Sequence, residues 1–138
     1  MFESHCWLNL IKMDITDSTK IEFGKEIQIN NYQFLLPVIV DGIEMSVDEV
    51  NFIVEPHNVG GKSFYQPHIK IVPKYQHQGL GYGIFKSFLF EFGNIYCYKW
   101  CTVNPVAIGA IFDKLKLEHG VTHYEENKKF WFVSIEEE

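Results

Sequence analysis

Arginine is missing from this chain: all 12 of its basic side chains are lysine. No anion can therefore be gripped by a bidentate guanidinium fork, and a bound phosphate would rest on backbone amides, lysine ammoniums or neutral donors. Positive charge is scarce altogether. The 18 carboxylates outnumber the lysines, giving a formal charge of -6 and an isoelectric point near 5.5. That balance argues against attraction to nucleic acid or anionic lipid through a basic stripe. Cysteine is limited to Cys6, Cys97 and Cys101, neither an even disulfide set nor a zinc quartet at ligand spacing. Thiols in a reducing compartment are the expected state. No stretch approaches the roughly 20 apolar residues of a membrane span, and the first residues lack the charged, apolar and small-residue succession of a secretory leader. The expectation is a soluble cytoplasmic protein with no nucleic-acid, membrane or metal partner.

What is present suffices for a core. The chain has 138 residues, 46% of them hydrophobic and 16% aromatic. That fits one domain spanning residues 1–138, with no internal repeat or linker. Residues 2–15, FESHCWLNLIKMDI, fit neither period cleanly and are read as a strand. Tyr32 to Gly42, ending in the Asp41-Gly42 turn pair, followed by IEMSVDEVNFIVEP, is rich in β-branched and aromatic residues and predicts a hairpin or meander. Residues 56–63, PHNVGGKS, read as a polar loop. The Gly61-Lys62-Ser63 run imitates the end of a phosphate-binding P-loop, but Pro56 occupies the place of its first glycine.

From Gly81 the period changes. Ile84, Phe85, Phe88, Leu89 and Phe92 recur at helical spacing and Gly93 stands as the stop, predicting a helix of about three turns. Ile95 to Val103 then alternates as a strand covered on both faces. Asn104-Pro105 signals the next helix start, with Ala107, Ile108, Ile111, Phe112 and Leu115 as its buried stripe and Gly120 as its end. Residues 120–129 read as a turn and FWFVSI as a last strand.

Three alternate glycines, Gly79, Gly81 and Gly83, stand between the strand-like FYQPHIKIVP and the first helix. A glycine turn feeding a helix start is a general anion site. Successive amides point into one concavity, the dipole adds positive potential, and no Cβ blocks the approach. The dinucleotide fingerprint fails, because Ile84 holds the place of its third glycine.

In order and type, Gln76-His77-Gln78-Gly79-Leu80-Gly81 resembles the pyrophosphate-binding motif of the GNAT acyltransferase superfamily, R/Q-x-x-G-x-G/A. The approach Ile71 to Tyr75 is similar to the strand end that precedes it, and Asn104, Ala107 and Phe112 follow in the order of the family's next motif. The resemblance covers roughly residues 64–135. It implies an α/β, GNAT-like acyltransferase fold, a mixed central sheet with few flanking helices and a reduced N-terminal half. It implies acetyl-CoA in the cleft where two parallel strands splay. The pyrophosphate would lie on the amides of Gln76, His77, Gln78, Gly79, Leu80, Gly81 and Tyr82, the thioester beside Ile71 and Val72, and a further contact would come from Asn104.

Two features depart from the family. Many members carry a tyrosine as general acid where this chain has Phe112. The base is commonly a carboxylate or histidine on the strand entering the glycine turn. Here that strand offers Tyr65 on one face and His68 on the other, with Glu55 and His57 on the preceding strand. Between Asp17 and Asn31 no helical period forms the acceptor wall usual in the family, so that side is expected to be open or completed by a second copy. The implied function is acetyl-CoA-dependent N-acetyl transfer to an amine, with strand amides near Ile71 and Val72 stabilising the oxyanion. The acidic surface favours a cationic small-molecule amine or a lysine-bearing protein as acceptor. The competing expectation is a non-catalytic acyl-CoA-binding or interaction module that kept the cradle and lost proton transfer.

Overall fold

The computed structural model describes residues 15, 16, 18–76, 78–98, 105–119, 122–126 and 130–134. Long β-branched and aromatic runs build the centre. Strands β6 (Val50–Val59) and β7 (Lys62–Ile71) form an antiparallel hairpin in register from Val50 opposite Ile71 to Val59 opposite Lys62. The residues read as a polar loop are thus the end of this hairpin. Gly60 and Gly61, at φ of 58° and 82°, make its two-residue turn, a conformation that needs positive φ at both positions.

Around the hairpin lies a seven-stranded sheet in the order β2-β3-β6-β7-β8-β10-β9. It adds β2 (Ile27–Gln28), β3 (Phe34–Leu35), β8 (Ile95–Tyr98), β9 (Thr122–Glu126) and β10 (Phe130–Ser134). Strand β9 occupies a segment expected to be a turn. The alternation of Thr122 and Tyr124 with polar residues allows pairing, and β10 supplies an edge through five register pairs. Strands β1 (Ile21–Phe23), β4 (Val38–Val40) and β5 (Ile43–Glu44) form a second, three-stranded sheet. The β4–β5 hairpin turns at Asp41-Gly42, as the sequence indicates, with φ of 49° and 84°. Among the described residues between 18 and 31 there is no helix.

Helix α1 (Leu80–Glu91) and helix α2 (Pro105–His119) cover one face of the large sheet. Leu80, Ile84, Phe85, Phe88 and Leu89 of α1 are buried against Val50, Phe52 and Val54 of β6. Phe52 meets Phe88 edge-on at 5.4 Å and Phe85 at 6.2 Å, and Phe23 of β1 stacks on Phe52 at 5.8 Å. Such ring pairs add about 0.5–1.5 kcal/mol beyond the area that they bury. Phe92 ends α1, and Gly93, at φ 145°, turns the chain towards β8.

The stripe expected on α2 divides. Ile108, Phe112 and Leu115 are buried, whereas Ala107 is exposed. Phe112 lies edge-on to Phe85 at 5.3 Å and to Trp131 at 5.5 Å. On the opposite face of the sheet Phe64, Tyr96 and Phe132 form a smaller cluster. The architecture is mixed α/β, with a multi-strand mixed sheet and two helices among the described residues. No described helix is long and apolar enough to cross a membrane. Residues 2–14 and 99–103 of the expected strands, and the expected stop Gly120, lie outside the described residues.

Candidate functional site

The parallel pairing of β7 with β8 consists of a single register pair, Tyr65 with Ile95. Its hydrogen-bond parity follows from two contacts. The Val72 amide donates to the Glu49 carbonyl on the β6 side at 2.9 Å, and the Tyr65 amide donates to the Asn94 carbonyl leading into β8 at 2.9 Å. Alternate residues of a strand address opposite neighbours. Even-numbered residues of β7 therefore bond to β6, and odd-numbered residues face β8. The next residue due to donate to β8 after Tyr65 is Pro67, which has no N–H. The ladder stops there for want of a donor, and the strands part.

A cleft of about 780 Å³ opens beyond that point, within the range of small-molecule sites. One wall is β7 from Pro67 to Val72. The other is the α2 face made by Ala107, Ala110 and Ile111, and the start of α1 closes one end. By the same parity the N–H and C=O of Ile69 and the N–H of Ile71 point across the gap. The Ile71 carbonyl is already engaged, accepting from Gln76 Nε2 at 2.7 Å.

A short 3-10 turn, Pro73–Tyr75, joins β7 to the glycines, a feature that the sequence reading did not include. It is well tethered. Lys74 Nζ pairs with Glu49 Oε2 at 2.7 Å, the Gln76 amide donates to the Pro73 carbonyl at 3.1 Å, and Gln78 Nε2 donates to the Lys74 carbonyl at 2.8 Å. The Gln76 amide is thus committed within the turn, so the amides that can meet a ligand begin later. The Val72 amide is likewise committed, to Glu49, so of Ile71 and Val72 only Ile71 directs a donor at the cleft.

Helix α1 starts from Gly79 at φ 87° with no side-chain cap. Each of the three glycines has its own cause. At Gly79 the left-handed backbone demands it, and a Cβ would also lie 3.2 Å from Ile15 Cβ. At Gly81 a Cβ would project into the cleft, 3.2 Å from Ile111 Cδ1 and 3.8 Å from Ile71 Cδ1. At Gly83 it would meet Ile21 Cδ1 at 2.3 Å, so the end of the Ile21 side chain packs into the space that the missing Cβ leaves. Turn geometry and packing account for Gly79 and Gly83; Gly81 is the one that opens space in the cleft.

Of the residues expected to hold a cofactor, Ile71, Val72, Gln76, Gly79, Leu80, Gly81 and Tyr82 line this cleft together. Gln78 does not line it. His77 and Asn104 lie outside the described residues. The two residues expected to act in proton transfer are elsewhere. Tyr65 is packed edge-on to Phe88 at 5.3 Å and Phe92 at 6.4 Å. His68, of the opposite parity, faces the other side of the sheet beside Glu55 and His57. There Glu55 accepts from Gln33 Nε2 at 3.1 Å and lies 3.2 Å from His57 Nε2. Burial pushes the His68 imidazole below its ordinary pKa; the Glu55 carboxylate pulls it the other way and His57 lowers it further. Among the described residues no carboxylate or imidazole lines the cleft, and no group of three or more metal-ligating side chains occurs.

Sequence reasoning missed Pro67, Ile69, Ala110 and Cys97 as lining residues. The Ala107, Ala110, Ile111 spacing marks one helical face of small and apolar residues and could have revealed the α2 wall. Comparison of the chain with protein-family models, with curated proteins and with solved structures gave no match.

Proposed function

We propose that the chain has a GNAT-like acyltransferase fold and is an acetyl-CoA-dependent N-acetyltransferase, with a cationic amine, free or on a protein lysine, as acceptor. One observation carries this reading: the strand pair interrupted at Pro67 leaves β7 backbone groups facing an apolar cleft that ends at the uncapped start of α1. The fit can be judged at Gly81, where an added carbon would project into the cleft, 3.2 Å from Ile111 Cδ1 and in ordinary contact with Ile71.

Acetyl-CoA, when bound, supplies an activated acetyl group that an amine takes up directly as the thiol departs. The amides at the start of α1, with the helix dipole behind them, offer donors to a diphosphate. Ile69 presents one donor and one acceptor to an extended amide-bearing chain, as a neighbouring strand would. The Ile71 N–H would serve as strand donor to the thioester carbonyl, a contact of the kind whose loss costs about 2.7–4 kcal/mol in preorganised oxyanion sites. Ile111 and Ala110 line the opposite side.

A second reading has its own support. With Phe112 in the core, Tyr65 under α1 and His68 across the sheet, no described carboxylate or imidazole reaches the cleft. A binding module without transfer chemistry accounts for that arrangement.

Release of coenzyme thiol from acetyl-CoA in the presence of polyamines or lysine peptides decides between the two. Amine-dependent release supports the transferase. Thermal stabilisation by acetyl-CoA without release supports the binding module, and neither effect overturns both.

A further inference from the structure

A second cavity, of about 390 Å³, lies on the other side of Tyr82 and Gly79, so that these two residues border both spaces. The Tyr82 ring is its organising feature. Lys114 Nζ lies 4.5 Å from the ring centroid and Lys86 Nζ 5.9 Å, and the Tyr82 hydroxyl donates to Glu118 Oε1 at 2.6 Å. Among the described residues neither lysine forms an ion pair, although carboxylates are in excess in the chain and Lys20 and Lys74 both have one. Two ammoniums gathered on one ring repel each other; cation–π attraction offsets only part of that cost. Ser87 and Thr19 add hydroxyls to the same wall.

Resting on the reading above, we propose that this cavity is an anion subsite that receives a second phosphate group of the ligand, the phosphomonoester on the ribose of coenzyme A. The chemistry is that of a dianion beside two lysines, in a chain that has no arginine to do the work; the Glu118 carboxylate in the same lining is engaged by the Tyr82 hydroxyl, and His119 stands next to it. A ligand whose diphosphate meets the start of α1 lies against Gly79 and Tyr82, which together with Lys86 and Lys114 also line the second cavity. The subsite selects the phosphorylated coenzyme over the same molecule without that phosphate. In an acidic protein it also supplies local positive potential where an anionic ligand enters.

Calorimetric titration with coenzyme A and with dephospho-coenzyme A tests this on the full chain. Coenzyme A is expected to bind about tenfold more tightly at low salt, the effect of two exposed charge pairs, with the ratio shrinking as salt is added. In the Lys86→Gln, Lys114→Gln double variant the ratio falls towards one while dephospho-coenzyme A binds as before. Both lysines reach solvent, and unchanged dephospho-coenzyme A binding certifies the variant's fold. Equal affinity of the native chain for both compounds overturns the subsite and leaves the transferase reading standing. Binding of neither compound overturns both.

Discussion

Replacing Pro67 with alanine should close the cleft from its narrow end. The substitution supplies the N–H that the β7 ladder lacks, opposite a Tyr96 carbonyl that by parity faces β7. A net backbone hydrogen bond is worth about 1 kcal/mol, while loss of proline loosens the unfolded chain by about 0.4–1 kcal/mol. Global stability should therefore change little. The balance between zipped and splayed strands should not be so neutral: about 1 kcal/mol favours the zipped form roughly fivefold, and a ligand that needs the splayed form binds about fivefold more weakly. Hydrogen exchange reports the first effect as a protected amide at position 67, and calorimetry with coenzyme A reports the second. An unprotected amide together with unchanged affinity would refute the claim that the missing donor is what parts the strands.

Other consequences are open to simpler measurements. Gly79→Ala forces a left-handed residue to carry a Cβ against Ile15 and should cost about 1–2 kcal/mol, a fall in Tm of roughly 3–8 °C, whereas Gly81→Ala, at a helical position beside a flexible isoleucine end, should change stability by less than about 1 kcal/mol. Equal thermal melts of these two variants would contradict their different causes. Phe112→Ala should lose about 3–5 kcal/mol, since the ring is fully buried against Phe85 and Trp131; a smaller loss in chemical denaturation would show that α2 is packed less tightly than described. His68 binds its proton more weakly in the folded than in the unfolded chain. Its contribution is therefore intact above the ordinary histidine pKa of about 6.5 and is lost as pH falls below it towards the lowered folded value. Melting His68→Gln beside the native chain from pH 7.5 to 5 should show a shallower acid loss in the variant, and parallel curves would remove His68 as a cause.

Much of this fold can be read from residue order. Helix α1 is marked by its apolar stripe and its bounding glycines, β8 by alternation, and the β4–β5 turn by Asp41-Gly42, because each of these is decided within a few residues. Strand β9 was not legible, since a polar edge strand exists only through its partner β10. The hairpin ends at residues 56–63 were hidden for a related reason: their polar side chains look like a loop, and cross-strand pairing overrides that composition. The cleft was foreseen through Ile71, Gly79 and Gly81, yet its cause, a proline whose missing donor faces β8, depends on a parity that no single segment reveals. Tyr65 and His68 were suggested by their chemistry and by their place on the strand entering the glycine turn, where period two already sets them on opposite faces. Their directions follow from the same parity, which sends one beneath α1 and the other to the far face.

Whether β7 and α1 jointly hold a nucleotide thioester can be read amide by amide, by titrating isotope-labelled chain with coenzyme A and following backbone nuclear magnetic resonances. The largest shifts should fall at Ile69, Ile71 and Leu80 to Tyr82, with β2 and β3 undisturbed. Saturable binding that leaves those five amides in place and moves others would contradict that placement.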